Sequence, residues 1–346
     1  MSRIEALPGL SAGNYLRHRL HGDEAVWVEK NCYGDLWIEF IHALGLEPLA
    51  MLPFTLAVDF EGDQWTFFKP SLEELRDLYG IDVQELTIWR PLIEHAVEQL
   101  SAGKFISTEA DAFWLPDTAG TDYRIKHSKT TILLASLDLD KRHLGYFHNA
   151  GYFELSGDDF TQLFRLDTAP DSTFLPLFAE LVRIDRLVRR PHAELAARSW
   201  GLLKRHLDRR PVSNPFRRFG ERFMQDLPKL QACGLPHYHA WAFASIRQTG
   251  AAFDLSASNL RWLAGFGHPA LIAPAECFGA IAQGNKALIL KGARAVNSGR
   301  PFDSTQLFTD LALAWDKGMD LLSRACEETG PGDLTQTATF GAKLNA

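Results

Sequence analysis

The apolar residues of this chain change period partway along it, and that change limits the folds open to it. Up to about Phe164 they gather into strand-like runs, Phe105–Leu115, Thr130–Leu137 and Leu144–Asn149, with Asp138-Leu139-Asp140-Lys141 as a turn between the last two. Beyond that point Phe216, Phe219, Phe223, Leu227 and Leu230 recur at helical spacing, as do Leu307, Leu311, Trp315 and Leu322. Helix, then a mostly antiparallel sheet, then helices is an α+β arrangement. The expected division is a sheet-bearing domain over 1–164, a helical domain over 165–330 and a flexible tail over 331–346.

Within the first half, Asn31 is a good N-cap, and Leu36, Phe40, Ile41 and Leu44 form an amphipathic run ending at Gly45. A helix should therefore begin at Cys32. Phe54–Phe60 and Trp65–Lys69 flank Glu61-Gly62-Asp63-Gln64 as a hairpin would. Ser71-Leu72-Glu73-Glu74 is a capping box for a short helix stopping at Gly80, and a further helix is expected from Pro91 to Ala102, ending at Gly103.

A thiol in the first turn of a helix faces unpaired backbone N–H groups and the positive end of the macrodipole, an arrangement that favours thiolate. His127 heads one strand-like run and Asn149 ends the next, so Cys32, His127 and Asn149 stand in the order of a papain-like Cys–His–Asn site. Cys32 would be nucleophile, His127 base and Asn149 its orienter. The Cys32 N–H and the Asn31 amide would receive the oxyanion. Each residue also has a plainer reading: a lone cysteine is most often a small buried hydrophobe, His127 could be a surface histidine and Asn149 a turn residue. His148 should point to the opposite sheet face from Asn149.

Strand alternation through Asp111-Ala112-Phe113-Trp114-Leu115 would put Asp111, Phe113 and Leu115 on one face. An acid on a core-facing position is costly unless paired, so Asp111 is read as a site residue or as part of a buried network. The loop that follows, with Asp117 and Tyr123, leads to His127 and could line or cover a substrate channel. No Walker loop, GxGxxG, GxSxG or HExxH occurs, and the four cysteines form no CxxC pair and no metal-ligand spacing. No metal and no bound cofactor are therefore expected.

With 46% hydrophobic and 23% charged residues, the chain has the balance of an ordinary soluble protein. Its longest apolar stretch, Leu46–Val58, is broken by Glu47, Pro48 and Pro53, too short to span a bilayer. Met1 to His18 holds no continuous apolar core of signal-peptide type. Unpaired thiols then suggest a cytoplasmic location. Inside a net charge of -7, the stretch from Arg183 to Arg222 carries twelve Arg/Lys against four Asp/Glu. Such a segment is a solvated helix surface or a docking face for an acidic partner, built from Arg189, Arg190, Arg205, Arg209, Arg210, Arg217 and Arg218.

At Cys32, Asp111–Pro116, His127 and Asn149 the chain resembles the N-terminal domain of the butirosin-pathway acyltransferases. These look like cysteine peptidases but move an acyl group from a carrier-protein thioester to an amine. Two positions depart from that family: Asn149 stands where it carries a carboxylate, and the block before Cys32 lacks its usual histidine. The blocks Asn31–Trp37, Phe54–Lys69, Asp111–Asp122 and Gly145–Tyr152 more closely resemble a bacterial family known as domain of unknown function 1839, whose members tend to be encoded beside amino acid:carrier protein ligases. The resemblance implies a papain-like fold followed by an all-helical region. It also implies an acyltransferase that takes an aminoacyl group from the phosphopantetheine thioester of an acidic carrier protein through a Cys32 acyl-enzyme to an amine. The alternatives are a cysteine hydrolase on the same machinery (thioesterase, amidase or peptidase) and a non-catalytic partner of a carrier-protein ligase.

Overall fold

The structure, a computed structural model, describes residues 3–169 and 176–328. The expected tail over 331–346 lies outside these residues. The chain forms two compact units, one of Met1–Pro48 with Pro70–Arg190, the other of Leu49–Lys69 with Pro191–Ala346.

Among the described residues the first unit is built on seven strands: β1 (Ile4–Glu5), β2 (Asp82–Glu85), β3 (Phe105–Asp111), β4 (Lys129–Asp138), β5 (His143–His148), β6 (Gly151–Ser156) and β7 (Ala179–Arg183). Their order is β2-β7-β3-β4-β5-β6, with β1 on β4, and every pairing is antiparallel. β4 is buried along nearly its whole length, because strands pair on both its edges and side chains pack on both its faces. The expected boundary at 164 would cut this sheet, since β7 lies between β2 and β3. The sheet's remaining members carry little local signal: β1, β2, β6 and β7 are each six residues or fewer, and β1, β2 and β7 are placed by pairings distant in sequence.

Residues opposite one another in an antiparallel ladder share a face. One face carries Phe105, Ser107, Glu109 and Asp111 with Lys129, Leu133 and Phe147. The other carries Ile106, Ala110, Ile132, Leu134 and Tyr146, which form a core with Ile93, Ala96 and Leu100 of a helix at Leu92–Ser101 and with Phe160 of another at Asp158–Leu163.

Numbered in chain order, the first unit's helices are α1 (Cys32–Ala43), α2 (Leu72–Tyr79), α3 (Leu92–Ser101) and α4 (Asp158–Leu163). α1 begins where Asn31 should cap it. α2 follows Ser71, but the Ser71 hydroxyl makes no capping bond, so the capping box is not formed. α2 ends at Gly80, where φ is +72° and an added Cβ would lie 1.9 Å from the Arg186 carbonyl oxygen, so only glycine fits. β3 stops at Asp111 rather than continuing to Leu115. The Asp111 carboxylate accepts the Phe113 N–H (3.1 Å), and 3-10 turns follow at Ala112–Trp114 and Pro116–Thr118.

The second unit is helical: α5 (His192–Asp208), α6 (Pro215–Cys233), α7 (Leu235–Ala242), α8 (Gln248–Ala264), α9 (Ile272–Ser298) and α10 (Thr305–Glu328). The stripe read from the sequence is its core, with Phe216, Phe219, Phe223, Leu227 and Leu230 all buried on α6. The expected 54–69 hairpin is not a strand pair. Pro48–Ala57 is a run of 3-10 turns containing Pro53, which has no N–H for a ladder, and the only bridge is Phe60 with Trp65. This segment joins the helices by packing, with Trp65 5.3 Å from both Phe216 and Phe219 between ring centroids.

Candidate active site

Asn31 has extended backbone angles, and its side-chain oxygen accepts the Gly34 N–H at 2.6 Å, which starts α1 at Cys32. Cys32 is half-buried. α1 lies on the Phe105–Asp111 face of the sheet. Phe40, near its C-terminal end, packs on Phe105 and Phe147 at ring separations of 4.9 and 5.7 Å. Tyr33, beside Cys32, donates to Glu180 (3.0 Å), which pairs with Ser107 further along β3. The helix therefore runs with its N-terminus toward the Asp111 end of β3. Lys129, paired with Asp111, agrees: its ammonium is held above the usual range first by its hydrogen bond to Glu109 and by that carboxylate's charge, and Cys32 adds to the effect.

At the same end and on the same face, the His127 ring nitrogen Nδ1 bonds the Asp111 oxygen Oδ2 at 2.6 Å. The second Asp111 oxygen is occupied by the Phe113 N–H, and the imidazole stacks on the Phe113 ring at 4.4 Å and 14°. Carboxylate, ring plane and tautomer are thus set together, leaving Nε2 as the nitrogen that can exchange a proton. His127 itself is exposed. Cys32, Asp111 and His127 are brought to one end of one sheet face.

Asn149 does not fill the role expected of it. β5 pairs with β4 as far as Phe147 opposite Leu133, and the chain then turns through Asn149 (φ +42°) and Ala150 into β6. Its left-handed backbone is one that asparagine tolerates, and the partner of His127 is Asp111. Asp117 and Tyr123 are loop anchors rather than site-lining groups. Asp117 accepts from Tyr146 and from His148 Nδ1, each at 2.5 Å, while His148 Nε2 meets Thr130 at 2.7 Å, all on the sheet face away from α1. Burial first, and then the Asp117 charge, push the Tyr146 hydroxyl well above its usual range. Tyr123 and Arg124 reach Asp159 on α4 at 2.9 and 2.5 Å. The 112–128 loop is therefore pinned at several points before it delivers His127.

One cluster escaped the sequence reading. His21, Lys30, Asp35 and Glu39 are each fully buried. His21 Nε2 meets Asp35 at 3.0 Å and its Nδ1 meets Glu39; the Lys30 N–H donates to the other Asp35 oxygen at 2.6 Å. The Lys30 ammonium donates to the Leu20 and Val28 carbonyls, and Tyr15 and the His18 N–H donate to Glu39. Burial alone would lower the His21 pKa, but the Asp35 charge and the bonds to both carboxylates outweigh it and the net shift is upward. His18, by contrast, is lowered to about 3 by burial and by the neighbouring cations. The available signal was two acids at i and i+4 in an otherwise apolar helix.

Two family models match the chain, the DUF1839 N-terminal domain over residues 16–184 and the DUF1839 C-terminal domain over residues 192–324. The chain belongs to the DUF1839 family. No curated protein matches it. The interval between the two DUF1839 models contains the point, after Arg190, where the chain passes finally from the first unit to the second.

In this DUF1839 chain the basic segment is divided. Arg189 and Arg190 belong to the first unit, where Arg190 caps α2 by donating to the Leu78 (3.0 Å) and Asp77 (3.1 Å) carbonyls. In the second unit Arg217 pairs with Asp316 and Arg218 with Asp59, each at 2.5 Å, so both are already engaged. Arg205, Arg209 and Arg210 are exposed. Among the described residues no helix is long and apolar enough to cross a membrane, and no group of three His, Cys, Asp or Glu could hold a metal ion.

Proposed function

We propose that the first unit is a papain-like cysteine acyltransferase that moves an acyl or aminoacyl group from a carrier-protein phosphopantetheine thioester to an amine. One observation carries this reading: a thiol in the first turn of α1 shares a sheet end and face with an aspartate-held histidine. The chain order is Cys, Asp, His rather than Cys, His, Asn, but such sites are defined by roles, not by order. A carboxylate partner also stabilises an imidazolium better than an amide would.

In the proposed reaction His127 Nε2 takes the Cys32 proton and the thiolate adds to the thioester carbonyl. The oxyanion forms against the Cys32 N–H and the Asn31 amide. Collapse expels the pantetheine thiol, which takes the proton from His127 and leaves an acyl group on Cys32 Sγ. An amine then adds to that carbonyl, His127 accepts its proton, and the amide departs as Cys32 Sγ leaves and is reprotonated. Thioester and amine become amide and thiol. The choice of a carrier-protein donor draws support from the resemblance to the butirosin-pathway acyltransferases and from the exposed Arg205, Arg209 and Arg210.

The exposure of His127 favours one second reading, in which water is the acceptor and the enzyme is a hydrolase. Turnover of a small pantetheine thioester, measured with and without excess amine, separates the two. Amide should dominate when amine is present, and Cys32→Ala and His127→Ala should each lower the rate by on the order of 10³-fold or more. Free acid as sole product at saturating amine would make it a hydrolase. Unimpaired turnover by Cys32→Ala would overturn both readings.

A further inference from the structure

Four ionisable side chains with no solvent exposure meet at the helix that begins with Cys32, Asp35 and Glu39 from the helix itself and His21 and Lys30 from the chain before it. Burying two carboxylates, an ammonium and an imidazole is a costly way to fill a core, and well-packed apolar residues commonly do as well or better. What the cluster provides that apolar packing does not is directionality. Asp35 is one turn along from Cys32 on the same side of α1, and its Oδ2 accepts the N–H of Lys30, two residues before the thiol. Its Oδ1 meets His21, whose far nitrogen meets Glu39 one further turn along. The carboxylate is thus held from both sides and cannot swing, and the incoming chain is tied to it just before Asn31 caps the helix.

Resting on the cysteine reading above, we infer that Asp35, locked by His21, is a positioning residue that fixes the chain entering α1 and so aims Cys32 at His127. Lys30 and Glu39 supply the remaining charges that let the pair stay buried. Neither Asp35 nor His21 touches the reacting atoms. Their effect is on where the thiol stands, and a displacement of about 1 Å in such a site can cost as much as 10²-fold in rate.

The test uses limiting iodoacetamide on the full chain, with each thiol's rate read by peptide mapping. Cys233 is exposed and serves as an internal clock. Cys277 and Cys326, pushed up by burial, report on the helical unit that carries them, and amide hydrogen exchange of the β3–β5 peptides reports any loss of fold in the sheet unit. Asp35→Ala should slow Cys32 about tenfold relative to Cys233. Asp35→Asn keeps an oxygen for the Lys30 N–H and should recover most of that loss, which a general loosening of the fold would not reproduce. If Asp35→Ala loses exchange protection in β3–β5, His21→Gln decides instead, with slowing of about threefold or more expected. Wild-type-like Cys32 rates in the folded variants would overturn the positioning role. A wild-type Cys32 no faster than Cys233 would instead overturn the cysteine reading itself.

Discussion

Among single residues, the side chain that holds His127 matters most to the proposed chemistry. Asp111 is bonded to it at 2.6 Å, whereas Asn149 occupies a turn. Asp111→Ala should therefore lower acyl-transfer kcat by about 10²-fold or more, and Asn149→Ala should leave it near wild type. A larger loss in Asn149→Ala would reverse the assignment. The buried histidines make a second prediction. His21 is raised in the fold, so its contribution is complete below the unfolded value of about 6.5 and is lost as pH rises through the folded value. His18 is lowered to about 3, so its contribution is present above about pH 6.5 and is lost as pH falls toward 3. The groups facing the pair are Asp35, Glu39 and His42 from α1 and Glu47, 3.8 Å from His18, with Lys30 and Arg19 nearby. Urea midpoints measured from pH 5 to 9 should fall on both sides of about pH 6.5. His21→Gln should flatten the alkaline limb only. An unchanged alkaline limb would mean that His21 is neutral in the fold.

At the scale of elements, the helix at Cys32 and the β4–β5 pairing were legible because both obey local rules, a capping residue before an amphipathic run and a turn between apolar runs. Asp111 was singled out, but its role was hidden by a strand expected to continue to Leu115; the turn it makes with Phe113 depends on a side-chain bond that periodicity cannot register. His21 and Lys30 sit in segments with no period, so only their partners on α1 could have hinted at the buried cluster. β7 joins the sheet by pairing with β3 some seventy residues earlier, a distance over which local pattern carries nothing. Asn31 serves the element and the chemistry together, and the two roles can be separated. Asn31→Ala should cost about 1 kcal/mol of stability through the lost cap. Asn31→Asp keeps the capping oxygen but removes the amide donor, so it should retain the melting temperature while lowering kcat by about 10²-fold. Full activity in Asn31→Asp would remove Asn31 from the oxyanion site.

At the scale of the whole molecule, a sheet-based unit carrying the candidate site is joined in one chain to a helical unit carrying Arg205, Arg209 and Arg210. Arg217 and Arg218 are poor probes of docking, because reversing their charge would set like charges beside Asp316 and Asp59. Reversing Arg205, Arg209 and Arg210 to Glu should instead slow reaction with a carrier-bound donor several-fold at low salt. The effect should fade once the screening length falls below about 8 Å. Reaction with a small pantetheine thioester should barely change, and equal losses with both donors would make the segment a solvated surface.

Whether Cys32 carries the acyl group is read directly by intact-mass spectrometry of the wild-type chain. The protein is mixed with a small pantetheine thioester in the absence of amine, quenched in acid within seconds and then mapped by proteolysis. The expected result is a mass gain of one acyl group in place of one hydrogen, located on Cys32 and absent from Cys32→Ala. Turnover without any such adduct, or an adduct on Cys233 instead, would contradict it.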